Sequence, residues 1–124
     1  MNQIWIVGNV GQDPTTRFTQ AGKAVTTLSV ATTRGKDDKK ETTWHDVVCF
    51  DDLAENVSEN VTKGSRVVVV GRLNKSNYET REGEKRTKVE IVADEVSISL
   101  RYKKNGFPAQ TGRVNEPPEA EDPF

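Results

Sequence analysis

One segment of helical periodicity interrupts a chain whose patterning is otherwise that of β-strands. In residues 51–63, Leu53, Val57 and Val61 recur every four positions, which predicts a short amphipathic helix that serves as a packing plug. The segments around it are rich in β-branched residues and predict three strands before the helix and two after it. These strands fall at 4–7, 24–33, 42–50, 66–73 and 86–100, with a possible brief return strand at 17–19 and an exposed loop at 35–40.

The order of these elements restricts the fold. Three strands, one helix and two further strands follow one another as in the OB-fold, a five-stranded, partly open barrel whose strand 2–3 face binds oligonucleotides. An unrelated small β-barrel of the SH3-like type is the alternative, and the position of the helix favours the OB-fold. We therefore expect an all-β domain with one short helix, built as an OB-fold that carries a long β-hairpin arm.

Local signals inside the elements give finer predictions. Asp51 or Asp52 is placed to cap the N-terminus of the helix, and Gly64 stands where a C′ glycine ends one. The unbroken apolar run at 67–70 predicts a strand that is buried on both faces. The apolar positions change from odd to even numbers near Asp94, which predicts a β-bulge there.

Charge is unevenly distributed along the 124 residues. Residues 1–104 carry 17 Lys and Arg against 15 Asp and Glu, whereas residues 105–124 carry one Arg, four acids and four of the five prolines. We expect 1–104 to fold as one domain and 105–124 to be a disordered acidic tail. Such asymmetry is a weak indication of nucleic-acid interaction. Because only 33% of the residues are apolar, a partner subunit would help to stabilise the thin core.

Few residues are available for catalysis or metal binding. Cys49 and His45 are the only residues of their types, so a disulfide within the chain, a Cys-clustered zinc site and a multi-His metal site are excluded. His45 and Asp46 point to opposite faces of a strand, and Cys49 lies about 13 Å along it from His45. We therefore expect no enzyme, no cofactor and no metal. Without a signal peptide or an apolar run of about 18 residues, we expect a cytoplasmic domain that has no membrane contact.

Three aromatic residues stand out by their surroundings. Trp44 and Phe50 share one face of a strand, and Tyr78 lies in a polar hairpin among basic residues. Aromatic rings can stack on unpaired bases while Lys and Arg contact phosphates, which is the basis of sequence-tolerant binding. Alternatively, Trp44 and Phe50 belong to the core and Tyr78 is a solvated hairpin residue. A second hypothesis for the function is an OB-fold protein-interaction module without nucleic-acid binding.

Motifs along nearly the whole predicted domain resemble the bacterial and phage single-stranded DNA-binding proteins, in particular an actinobacterial branch. They are IVGNVGQDP at 6–14, TWHDVVCF at 43–50, LAENV at 53–57, KGSRV at 63–67, VGRL at 70–73 and TREGE at 80–84. The resemblance implies an OB-fold that forms a homotetramer and binds single-stranded DNA without sequence specificity. It also implies a protective role in DNA replication, recombination and repair, and a cytoplasmic location on the nucleoid.

The resemblance assigns the stacking role to the same three aromatic residues, Trp44, Phe50 and Tyr78. Lys36 stands near the position of a further tryptophan of the family, where a phosphate contact would replace stacking. We expect eight basic residues to contact the single-stranded DNA: Arg34, Lys36, Lys63, Arg72, Lys75, Arg81, Lys85 and Arg86.

The end of the sequence also resembles the family, whose members close with an acidic cluster and Pro-Phe. Here the corresponding residues are Glu121, Asp122, Pro123 and Phe124. The resemblance implies that this tip docks replication and repair proteins, with the Phe124 ring in a pocket and the acids steering the approach. The alternative is an inert tail that only increases solubility.

Overall fold

A computed structural model gives the architecture, and it describes residues 1–102. The strands are β1 (Ile4–Val10), β2 (Thr15–Phe18), β3 (Ala24–Arg34), β4 (Glu41–Phe50), β5 (Arg66–Glu79) and β6 (Lys85–Ile98), with one helix, α1 (Asp51–Asn60). The predicted order is confirmed, including the brief return strand, which forms β2. The predicted loop at 35–40 contains a short 3-10 turn, Asp37–Lys39, and is exposed.

The six strands form one sheet in the order β1-β5-β6-β4-β3-β2, and pairing of β1 with β3 closes five of them into a ring. The described ladders are antiparallel except that between β4 and β6. At the closure, a Cβ on Gly8 would collide with the carbonyl oxygen of Ala31, so only glycine permits this close approach of β1 to β3. The predicted OB-fold is confirmed, with β2 added at the edge of β3.

The core lies inside this ring, and α1 covers one side of it. Of the predicted stripe, Val57 and Val61 are buried against the strands and Leu53 is partly buried, while Ala54 beside the stripe is fully buried. The buried hydroxyl of Thr26 on β3 donates a hydrogen bond of 2.8 Å to the carbonyl oxygen of Ala54. A satisfied buried hydroxyl of this kind fixes the helix relative to the sheet.

The predicted helix ends are wrong. The N-cap residue is Phe50, which makes no side-chain capping bond, and α1 ends at Asn60 with extended Val61 as its C-cap. The side chain of Val61 is buried although the helix ends before it, because the chain turns directly into the core after Asn60. Gly64 lies in the following turn at φ +91°, where its N–H donates to the carbonyl oxygen of Val10. Its glycine conformation therefore serves this turn and not the helix end.

The start of β5 was predicted to be buried on both faces, and this is also wrong. Val67 and Val69 are fully buried, but Val68 and Val70 are half-buried on the outer face. There they pair with Val7 and Trp5 of β1, of which Trp5 is 65% exposed. Trp5 is exposed because its neighbours on β1, Ile4 and Ile6, point to the core instead.

The bulge predicted near Asp94 is confirmed. Val70 pairs with Glu95 and Gly71 pairs with Ala93, so Asp94 is the extra residue between the two pairs. Beyond the bulge β5 and β6 continue as the predicted hairpin, which we call the arm, residues 74–90. β5 extends to Glu79, beyond its predicted end at 73, whereas β6 begins one residue earlier and ends two residues earlier than predicted. The two strands meet in a turn at 80–84, in which Gly83 takes φ +83°.

Candidate nucleic-acid interface

Strand register places the predicted aromatic residues on a common outer surface. Val48 of β4 pairs with Val92 of β6, and side chains alternate along each strand, so even-numbered residues of both strands share one side. On β5, Arg72 pairs with Val92 and Tyr78 pairs with Arg86, which brings these residues to that same side. We call this surface the aromatic face. Its members include Trp44, Asp46, Val48, Phe50, Arg72, Tyr78, Arg86, Lys88 and Glu90.

All three aromatic side chains of this face are accessible. The exposed fractions are 60% for Trp44, 46% for Phe50 and 51% for Tyr78. The alternative in which Trp44 and Phe50 belong to the core does not agree with these values. Val48, between them on β4, is buried. On this face, the buried apolar side chain of Val48 thus lies between the exposed rings of Trp44 and Phe50.

Trp44 is supported by the turn after β1. A Cβ on Gly11 would lie 2.6 Å from Cη2 of the Trp44 ring and closer still to Cζ3, which shows that the ring rests on the glycine. Because Gly11 has no side chain, the indole of Trp44 can pack directly against the backbone at this position. This contact limits the positions of an otherwise exposed ring.

Two of the predicted cations, Arg72 and Arg86, lie on the aromatic face. Arg72 is 3.9 Å from the Asp94 carboxylate, and Arg86 is 2.7 Å from that of Glu84. All four side chains are more than half exposed, so each ion pair contributes at most about 1 kcal/mol. A phosphate group can therefore replace either carboxylate at little cost.

The other predicted cations are dispersed. Lys75 and Lys85 pair with Val89 and Glu79, which puts them on the opposite side of the arm from Tyr78. Arg81 is exposed in the turn at the tip of the arm, while Arg34 and Lys36 are exposed at the end of β3. Lys63 is exposed after α1, where its backbone N–H donates to the Asp13 carboxylate at 2.7 Å.

One cation of the face was missed in the predicted set. Lys88 shares the side of Tyr78 and Arg86, and its ammonium lies 3.7 Å from the Glu90 carboxylate. The two-residue alternation from Arg86 would have found it. Proximity in sequence to Tyr78 does not separate the two sides of a hairpin.

The two residues considered for catalysis have structural roles. Burial raises the pKa of the Cys49 thiol to about 12, so it stays protonated and unreactive near neutral pH. The Nε2 atom of His45 lies 2.9 Å from the hydroxyl of Thr32 on the neighbouring strand. Over residues 1–102 there is no group of three or more His, Cys, Asp or Glu side chains with the arrangement of a metal site.

Two other findings bear on the predictions. No helix within residues 1–102 has the length and apolar character needed to cross a membrane. The predicted tail and its tip residues Glu121, Asp122, Pro123 and Phe124 lie outside the described part of the chain.

Comparison with known proteins gives consistent matches. Residues 1–99 match the single-strand binding protein family. A "single-stranded DNA-binding protein" of Mycolicibacterium smegmatis is 47% identical over 106 residues, which cover 80% of this chain and 64% of the relative. Proteins of the same name from Paenarthrobacter aurescens and Corynebacterium glutamicum are 43% and 44% identical; these alignments cover 80% and 82% of this chain and 62% and 48% of the relatives. The chain thus spans less than two thirds of the length of these actinobacterial relatives.

Proposed function

This chain belongs to the single-strand binding protein family, and from that premise we propose that it binds single-stranded DNA with little dependence on sequence. Binding would protect exposed strands during DNA replication, recombination and repair. The observation that carries the proposal is the aromatic face, where three accessible rings lie beside cations on one side of the sheet.

The chemistry of this face suits an unpaired strand and not a duplex. Every base has a π-face, so stacking on Trp44, Phe50 and Tyr78 accepts any base, at about 1–3 kcal/mol per stacked base. In a duplex these π-faces are already covered by neighbouring base pairs. The phosphates between stacked bases would be held by three cations of the aromatic face: Arg72, Arg86 and Lys88. These contacts make the affinity depend on salt concentration.

We further propose that the protein acts as a homotetramer. Residues 4–7 of β1 pair only with β5 among the described strands, so their second edge is free for another chain. Beside that edge the outer face carries the exposed side chains of Trp5 and Val7 and the half-buried Val68 and Val70. An apolar patch next to an unpaired edge supports burial against a second copy.

The sequence from 105 onward would recruit partners of the replication and repair machinery. The acids of the tip favour a basic docking surface, and Phe124 is suited to an apolar pocket within it. Removing residues 121–124 is expected to leave oligo-dT affinity intact and to abolish partner capture. Retained capture would support the alternative of an inert, solubilising tail.

The stacking model is tested by measuring the affinity for dye-labelled oligo-dT by fluorescence anisotropy. Trp44→Ala and Tyr78→Ala are each expected to weaken binding, whereas Phe18→Ala is not. Phe18 is a matched control because it is 68% exposed but lies on β2, away from the aromatic face. Unchanged affinity in both of the first two variants would refute the stacking role.

A gel shift with oligo-dT and with duplex DNA of the same length separates this function from the protein-interaction alternative. We expect a shift with the single strand alone. The alternative predicts no shift with either nucleic acid.

A further inference from the structure

An unpaired carboxylate lies on the face that we propose to bind a polyanion. Asp46 is exposed on β4, two residues beyond Trp44, and it helps to line an open hollow of about 550 Å³. The remaining lining residues are Tyr78, Thr87, Lys88 and Val89, so the hollow lies between β4 and the arm. Its volume falls in the range of about 300–1,000 Å³ that is usual for ligand sites.

The Asp46 side chain has no partner within the hollow. Among residues 1–102 it makes no side-chain hydrogen bond and no ion pair, and the ion pair of nearby Lys88 is with Glu90. Of the acids on the arm and beside it, Glu84, Glu90 and Asp94 are each paired with a cation, whereas Asp46 is not. The acceptor oxygens of Asp46 are therefore free to bind a donor from a ligand in the hollow.

An ionised carboxylate accepts hydrogen bonds and donates none. It repels phosphates, so the only groups of single-stranded DNA that it can bind are the N–H groups of the bases. Cytosine, adenine and guanine present an exocyclic amino group, and acidic side chains are known acceptors for the cytosine amino group. Thymine and uracil present only a ring N–H between two carbonyl oxygens, and those oxygens face a nearby carboxylate unfavourably.

We propose that this hollow holds one unpaired base against Tyr78 and that Asp46 accepts a hydrogen bond from the amino group of that base. The inference rests on the proposed function and adds a base preference to it. Cytosine is favoured over uracil at this position, while stacking elsewhere on the face stays indifferent to sequence. Lys88 lines the same hollow on the side of Tyr78, where its ammonium would attract the adjoining phosphate.

The test compares deoxycytidine and deoxyuridine homopolymers of about 16 nucleotides, the upper end of the site size of one OB-fold. These bases are both pyrimidines without a methyl group, and using DNA removes the ribose hydroxyl as a competing donor. At pH 8, where cytosine is neutral, we expect tighter binding to oligo-dC by about three- to tenfold, the contribution of one net hydrogen bond.

Asp46→Asn and Asp46→Ala are expected to bring the ratio of the two dissociation constants close to one. The matched control is Glu59→Gln, which also removes one exposed carboxylate but does so on α1; it should keep the wild-type ratio. Because Asp46 is exposed and unpartnered, the variants are expected to melt at the wild-type temperature.

The outcomes distinguish this inference from the proposed function. Equal affinity of the wild type for both oligonucleotides overturns the inference and leaves the proposed function intact. A preference for oligo-dC that survives in the Asp46 variants also overturns the inference. The same holds if the Asp46 variants gain affinity equally for both oligonucleotides, because that result would show that Asp46 only repels the phosphates. Failure of the wild type to bind either oligonucleotide contradicts the proposed function itself.

Discussion

Gly11→Ala is expected to weaken DNA binding without removing any group that contacts DNA. The new Cβ would lie 2.6 Å from Cη2 of Trp44, whereas ordinary van der Waals contacts of a Cβ begin at 3.4 Å. To restore a carbon–carbon separation of about 3.5–4.0 Å the indole must move by about 1 Å. Since the ring is the far end of an exposed side chain, it moves outward and the backbone stays in place.

The magnitude follows from the stacking that this movement disturbs. Complete loss of one stacked base costs about 1–3 kcal/mol, or roughly five- to 150-fold in dissociation constant. Gly11→Ala displaces the ring and does not delete it, so we expect a loss smaller than that of Trp44→Ala. The free energy of unfolding should change by less than about 1 kcal/mol, because lost packing is opposed by the reduced freedom of the unfolded chain.

The assay is a double-mutant cycle of Gly11→Ala and Trp44→Ala, measured by anisotropy with labelled oligo-dT. If the glycine acts through the ring, adding Gly11→Ala to Trp44→Ala causes no further loss. In a Trp5→Phe background Trp44 is the single tryptophan, so its quenching by oligo-dT reports the displaced ring directly. Additive losses in the cycle, or wild-type affinity of Gly11→Ala, would refute the reasoning.

Three other perturbations test separate parts of the account. Arg86→Gln should reduce the slope of log affinity against log salt by about one, whereas Lys75→Gln, on the other side of the arm, should change it less; equal slopes would contradict the assigned sides. Trp5→Lys should shift the sedimentation coefficient to a smaller species, and a wild-type protein that is only monomeric at micromolar concentration would contradict the tetramer. Because burial raises the pKa of Cys49 from 9.0 to about 12, the native thiol keeps its proton while the unfolded one ionises, so the free energy of unfolding should fall as pH rises from 9 towards 12. Urea unfolding at pH 8 and pH 10 measures this, and Cys49→Ala should show a smaller difference between the two.

Features that depend on local alternation could be predicted from the sequence. The change of apolar phase near Asp94 gave the bulge, and the four-residue spacing of Leu53, Val57 and Val61 gave the buried side of α1. The side of β4 that carries Trp44 and Phe50 could be predicted in the same way, because both residues have even numbers and therefore point to the same side of the strand.

Features that depend on distant pairing could not be predicted. The half-exposure of Val68 and Val70 follows from their pairing with Trp5 and Val7, and no property of the valine run itself indicates it. Contact of Trp44 with Gly11 depends on the pairing of both β1 and β4 with β3, which sequence spacing does not show. The C-terminal end of α1 was missed because tertiary burial of Val61 determines where the chain leaves the helix.

The most direct test of the central claim is a crystal structure of the protein bound to oligo-dT. The account predicts bases stacked on the rings of Trp44 and Tyr78, with carbon atoms at about 3.5–4.0 Å from each ring. A bound strand that follows another surface and leaves both rings without contact would contradict it.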